Sequence, residues 1–172
     1  MQAPLQLISR GQALCCATRD ASCSPRVRRR KEDFDGVVTM ASYGRTALHV
    51  AIRSGEPLDG VALLGSVDLD ATDAHGFTPL YTAAMFGRVD AIDALLSAGA
   101  SHCIADLGGL TPLHISCEKG EEGAAARLIE RGACVDAVDS IGRAPRDWAV
   151  AKGHAGVVAI VDSALARRRR DE

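Results

Sequence analysis

Histidine and cysteine are the residue types in this chain that could most readily do chemistry. There are six cysteines, Cys15, Cys16, Cys23, Cys103, Cys117 and Cys134, and five histidines. Two stretches bring the types together, His102-Cys103 and His114-x-x-Cys117. Thiolate and imidazole both ligate zinc, but zinc sites are built on paired cysteines two to four residues apart. No such pair occurs here. Nucleophilic catalysis would ask for a Gly-x-Ser-x-Gly elbow, phosphate transfer for a Walker loop and zinc proteolysis for His-Glu-x-x-His. The sequence has none of them. Gly108-Gly109 follows no strand of a βαβ unit, so it reads as a turn and not as a phosphate cradle. The acidic residues are scattered and read as a solvated face. These residues predict no enzyme, no metal, no cofactor and no small-molecule substrate.

A repeat positions everything else. Gly44-Arg45-Thr46-Ala47-Leu48-His49 returns as Gly76-Phe77-Thr78-Pro79-Leu80-Tyr81 and again as Gly109-Leu110-Thr111-Pro112-Leu113-His114. A worn copy follows, Gly142-Arg143-Ala144-Pro145-Arg146-Asp147. The spacings are 32, 33 and 33 residues, and Gly55, Gly87, Gly120 and Gly153 keep the same spacings. Thr78 and Thr111 suit helix N-caps, because a hydroxyl can accept from the orphan amides of the first turn. Pro79, Pro112 and Pro145 then occupy the first helical position, where a missing N–H does no harm. The second glycine series ends each first helix. A second helix follows, with apolar stripes at Val89, Ile92, Leu95 and Leu96, at Ala125, Leu128 and Ile129, and at Val158, Val161 and Leu165. Asp73, Asp106 and Asp139 lead into tight turns closed by Gly76, Gly109 and Gly142.

On these motifs the chain resembles the ankyrin-repeat family over residues 42–166. The resemblance implies an all-α solenoid of stacked helix-turn-helix pairs with projecting β-turn or hairpin loops. The repeats run about 42–73, 74–106, 107–139 and 140–166. It makes Thr46, His49, Thr78, Pro79, Leu80, Thr111, Pro112, Leu113, His114, Gly87, Gly120 and Gly153 structural. Histidines at this position bond within the helix-start turn and link neighbouring repeats. Tyr81 replaces one of them, so the second repeat must use a different network. Cys117 falls where the family has a small residue and acts as a small hydrophobe. Arg146, Asp147 and Asp162 stand where inner repeats are apolar or His, which fits a solvent-facing last repeat. Pro57, Gly60 and a missing residue near Ser66 make repeat one the least stable unit, since glycine inside a helix costs about 1 kcal/mol relative to alanine.

Composition agrees. Hydrophobic residues are 47% and aromatics 3%, too few rings for a β-sandwich or a single-strand nucleic-acid platform. No apolar run approaches the roughly 18 residues of a membrane span. The net charge of −2 divides into +3 over residues 1–41, −7 over 42–166 and +2 over 167–172. Residues 1–41 lack the repeat and read as a disordered basic extension. Its run Arg26-Val27-Arg28-Arg29-Arg30-Lys31 reads first as a solvated charge run, with nuclear import or an anionic contact as rivals. The acid-free first nineteen residues loosely resemble an organellar transit peptide. Met40 offers a second start that would remove residues 1–39. Arg167–Arg170 are expected to follow the last helix as a basic tail. Without an unbroken apolar leader or any Asn, the expected compartment is cytoplasmic or nuclear, with organellar targeting by residues 1–39 as the alternative.

Turn tips and first-helix positions facing the concavity usually touch the partner in ankyrin proteins. Carried onto this chain they are Arg53, His75, Phe77, Met85, Phe86, Leu107, Leu110, Glu118, Lys119, Ile141 and Arg143. An apolar centre of Phe77, Met85, Phe86 and Leu110 is expected, with Phe86 the one most prone to pack inward. The expected function is binding of another protein through the concave face, as adaptor, inhibitor or assembly factor, by a chain that is monomeric beforehand. The rivals are nucleic-acid or nuclear regulation through the basic ends, and a regulatory subunit or fragment of a larger enzyme or receptor.

Overall fold

The computed structural model describes residues 44–56, 58 and 67–171. Pro57, Gly60 and Ser66, on which the expected weakness of repeat one rests, lie outside the described residues, as do Tyr43 and the whole basic extension. Among the described residues there are seven helices and no strand. They are α1 (Ala47–Ser54), α2 (Pro79–Met85), α3 (Val89–Ser97), α4 (Pro112–Lys119), α5 (Glu122–Glu130), α6 (Pro145–Lys152) and α7 (Ala155–Asp171). The first helices α1, α2, α4 and α6 pack in one row, and α3, α5 and α7 in a second. Within a repeat, α2 packs on α3, α4 on α5 and α6 on α7. Leu80, Ile92, Leu95, Leu113, Leu128, Val157 and Val161 are fully buried between the rows. Most of these contacts join one repeat to the next, so burial in each unit depends on its neighbour.

Helix starts follow the local chemistry. Thr78 is the N-cap of α2, and its Oγ1 accepts from the Tyr81 amide at 3.0 Å. Pro79, Pro112 and Pro145 each open a helix. At Thr111, the amide donates to Nδ1 of His114 at 3.1 Å and the hydroxyl lies 2.9 Å from the same nitrogen. Thr46 and His49 repeat the pattern at 3.3 and 2.8 Å. The far nitrogens reach the following repeat: Nε2 of His49 donates to the Phe77 carbonyl at 2.8 Å and Nε2 of His114 to the Arg143 carbonyl at 3.2 Å. A carbonyl can only accept, so Nε2 carries the proton, and the amide donor makes Nδ1 an acceptor. Both imidazoles are therefore neutral.

The fourth repeat carries charge on its outer side. Asp147 holds the histidine position and accepts from its own N-cap, the Ala144 amide, at 2.9 Å. Arg146 forks onto Asp162, with Nη2 3.0 Å from Oδ2. This pair covers the place where inner repeats bury leucine, and the Arg146 hydrogen bond holds the Asp162 carboxyl below the usual carboxylate range. Val157 and Val161 are buried, and Val158 and Leu165 are half-buried and pack against the core. One expectation changes here. Arg167–Arg170 do not follow the last helix but belong to it. Arginine is a good helix former, and cations near the C-terminus suit the helix dipole. Arg168 also reaches Asp136 of the preceding repeat at 2.9 Å.

Burial pushes both imidazole pKa values below the ordinary 6.5, against carbonyl hydrogen bonds that raise them. The unfolded chain then binds more protons than the native state, so stability rises with pH in this range. The contribution is full above about pH 6.5 and is lost as pH falls below it. We expect the urea midpoint to drop between about pH 7.5 and about pH 5, and His49→Gln/His114→Gln to flatten that dependence while lowering stability throughout. A wild-type midpoint unchanged across this range would contradict the neutral pair.

Candidate functional site

The exposed face is built on three aspartate turns. Oδ1 of Asp73 accepts from the amides of His75 and Phe77, at 2.8 and 3.0 Å. Oδ1 of Asp106 does so from Gly108 and Leu110, and Oδ1 of Asp139 from Ile141 and Arg143, all within 2.9 Å. Each turn closes by a glycine amide bonding back to the aspartate carbonyl, at 3.0 Å for Gly76 and 3.1 Å for Gly109 and Gly142. Gly109 has φ +80°, and a Cβ there would lie 2.8 Å from the Ser140 amide nitrogen. The next turn passes that close because Ser140 donates to the Gly108 carbonyl at 3.1 Å. Successive tips are thus joined backbone to backbone.

The second carboxylate oxygens bind side chains. Asp73 faces Arg45 at 3.5 Å. Asp106 accepts from the Tyr81 hydroxyl at 3.0 Å. Burial and the Asp106 charge drive the Tyr81 pKa far up, so it remains a donor at every working pH. Asp139 accepts from the Trp148 indole at 2.9 Å. Burial alone would raise the Asp139 carboxyl, but the Arg143 amide, the indole and the Ile141 amide hold it below its ordinary value. The Arg143 guanidinium lies 3.9 Å over the Trp148 ring, with Nε 3.8 Å from Asp139.

The expected contact residues separate into three groups. Leu107 and Ile141 stand on adjacent tips, 78% and 65% exposed. Arg53, His75, Phe86 and Lys119 are also exposed. Phe77, Met85 and Leu110 are half-buried and pack against the core. The Phe77 ring stacks on Tyr81, with centroids 4.5 Å apart. The apolar centre is therefore not one exposed cluster. Phe86, the ring expected to turn inward, is the one that stays out, at 41% exposure. Its repeat equivalents are Ser54, Lys119 and Lys152, whereas Phe77 shares its position with Leu110 at the base of a turn. Glu118 is half-buried and lies 3.6 Å from both Lys119 and Lys152.

Arg45, Arg53, Phe77, Met85 and Phe86 line a small, shallow depression between repeats one and two, with His49, Asp73 and Thr82 beneath. The role of Trp148 in bracing Arg143 was not legible, since one Trp five residues from an Arg forms no repeating pattern. Cys117 is buried, its thiol pushed up to about 12 by burial, and so unreactive. Among the described residues no three His, Cys, Asp or Glu side chains gather as a metal site. No described helix is long and apolar enough to cross a membrane.

Two family models match the chain. One described as ankyrin repeats (3 copies) covers residues 31–106. One described as ankyrin repeat covers residues 108–140. The first match begins upstream of the first repeat read from the glycine spacing. The fourth repeat lies beyond both matches, yet α6 and α7 stack on α4 and α5 as the inner pairs do.

If the aspartate turns hold the face, Asp139→Ala leaves two turn amides and the Trp148 indole without their acceptor. An unmet buried group costs on the order of 1–3 kcal/mol, so urea unfolding should show a loss of that size. A change under about 0.5 kcal/mol, the scale of an ordinary surface substitution, would count against the turn's role.

Proposed function

The chain belongs to the ankyrin-repeat family, and from that premise we propose that it is a non-catalytic binding module whose turn tips and first-helix surfaces grip one partner protein. Ankyrin repeats are in general protein–protein interaction modules. Whether the outcome is an adaptor, an inhibitor or an assembly factor follows from the partner.

One observation carries the reading. Positions that repeat through the chain are buried or half-buried and bonded inward: the threonine caps, Leu80 and Leu113, His49 and His114, and the turn aspartates. Positions that differ from repeat to repeat face outward: Arg53 and Ser54, then Phe86, then Lys119, then Ala151 and Lys152. A scaffold held constant beneath a varied surface is what recognition of one partner requires. Phe86 supplies an exposed ring beside the half-buried Met85. Leu107 and Ile141 add apolar tips. Aromatic, Met and Arg side chains are those enriched in interface cores.

The test compares wild type with Phe86→Glu in capture from matched cell extract, read by mass spectrometry. Phe86 is the right ring to change, because Phe77→Glu would break its stack on Tyr81. Both proteins should show the same helical melt. A partner held by wild type and reduced about tenfold or more by the variant is expected, a loss of the size an interface hot spot gives. Equal retention of every specific partner would move binding off this face.

A further inference from the structure

The ionic groups of this face are sorted by sign. Its carboxylates are turned inward: Asp73 and Asp139 are buried, and Asp106 is spent on its own turn and on Tyr81. Glu118 exposes only 18% of its side chain and is shared by Lys119 and Lys152. Asp147 lies on the end of the stack, at the position whose inner equivalent reaches into the next repeat. The cations point out instead. Arg53, Lys119 and Lys152 are exposed, and two lysines meet one carboxylate.

Arg143 is the best-formed donor. Its guanidinium carbon lies 3.9 Å over the Trp148 ring and its side chain remains 40% exposed. A stacked guanidinium has already lost much of its freedom, and its planar edge matches a carboxylate with two parallel N–H donors. Meanwhile the residue 42–166 body carries −7. Much of that charge sits on the second-helix layer and its loops, where Asp90, Glu122, Glu130 and Asp136 are exposed.

We propose that the occupant of this face is an acidic segment of a partner protein, its carboxylates meeting Arg53, Lys119, Lys152 and Arg143 and one large apolar side chain resting on Phe86. This rests on the binding reading above and gives the partner its chemistry. First helices pack at roughly 8–10 Å, so the cations form a row that an extended chain can follow across repeats. A nucleic acid fits less well. Single strands call for several stacking rings, whereas Phe86 is the one large aromatic among the exposed large hydrophobics of the described residues.

The experiment selects a phage-displayed random peptide library on the full chain at near-physiological salt. Asp and Glu should be enriched around an aliphatic or aromatic residue. A synthetic peptide of that consensus should bind about tenfold more weakly to Arg53→Gln/Lys152→Gln, and more weakly as salt rises. Four results overturn the proposal: no enriched peptide, basic or uncharged consensus sequences, acidic peptides indifferent to the double variant, and a duplex DNA oligonucleotide that outcompetes the peptide. A non-acidic consensus whose binding is lost in Phe86→Glu leaves the binding face standing and removes only the acidic occupant. Peptides indifferent to Phe86→Glu and to the double variant remove both.

Discussion

Each first helix holds the turn of the next repeat through its third side chain. His49 reaches the Phe77 carbonyl, Tyr81 reaches Asp106 and His114 reaches the Arg143 carbonyl. Asp147, at the same position of the fourth repeat, bonds back to its own cap. These ties cross between units, so no repeat is complete alone and each fixes the register of its neighbour. The apolar rows then close over one another, and the aspartate turns project at a fixed interval. Stability becomes a chain of neighbour terms, and the outward positions gain a rigid support.

The same constraint occupies several of the groups that could have done chemistry. Both ring nitrogens of His49 and His114 are occupied, and burial keeps the rings neutral. The thiol of Cys117 is sealed in the core. The turn carboxylates are divided between backbone amides and a neighbouring side chain. The turn and first-helix face presents cations and apolar side chains held at fixed spacing, which is material for recognition.

Much of this was legible in the sequence because the determinants are local and recur. The Thr-Pro-Leu-His run encodes a cap, a helix start and a buried link within four residues, and the glycine series places the turns. Exposure was harder to read. Phe77 and Phe86 are alike in composition, and only their register separates them: one shares the turn-base position of Leu110, the other the outward position of Lys119. The Arg146–Asp162 pair and the Arg143–Trp148 stack were hidden for a different reason. Each occurs once, in a repeat whose pattern is worn, and joins residues with no fixed spacing to learn from. The Arg167–Arg170 run looked like a tail by charge, although arginine favours helix as much as it favours water.

The inter-repeat tie can be measured where it is a bond between two side chains. A double-mutant cycle of Tyr81→Phe and Asp106→Asn, read by urea unfolding, isolates the link between repeats two and three. Tyr81→Phe keeps the aromatic stack on Phe77, and Asp106→Asn keeps an oxygen for the turn amides. Residues sharing one network couple by about 0.5–3 kcal/mol. A coupling in that range is the predicted result. Additive losses within about 0.3 kcal/mol, as for independent sites, would contradict the view that these side chains hold the repeats in register.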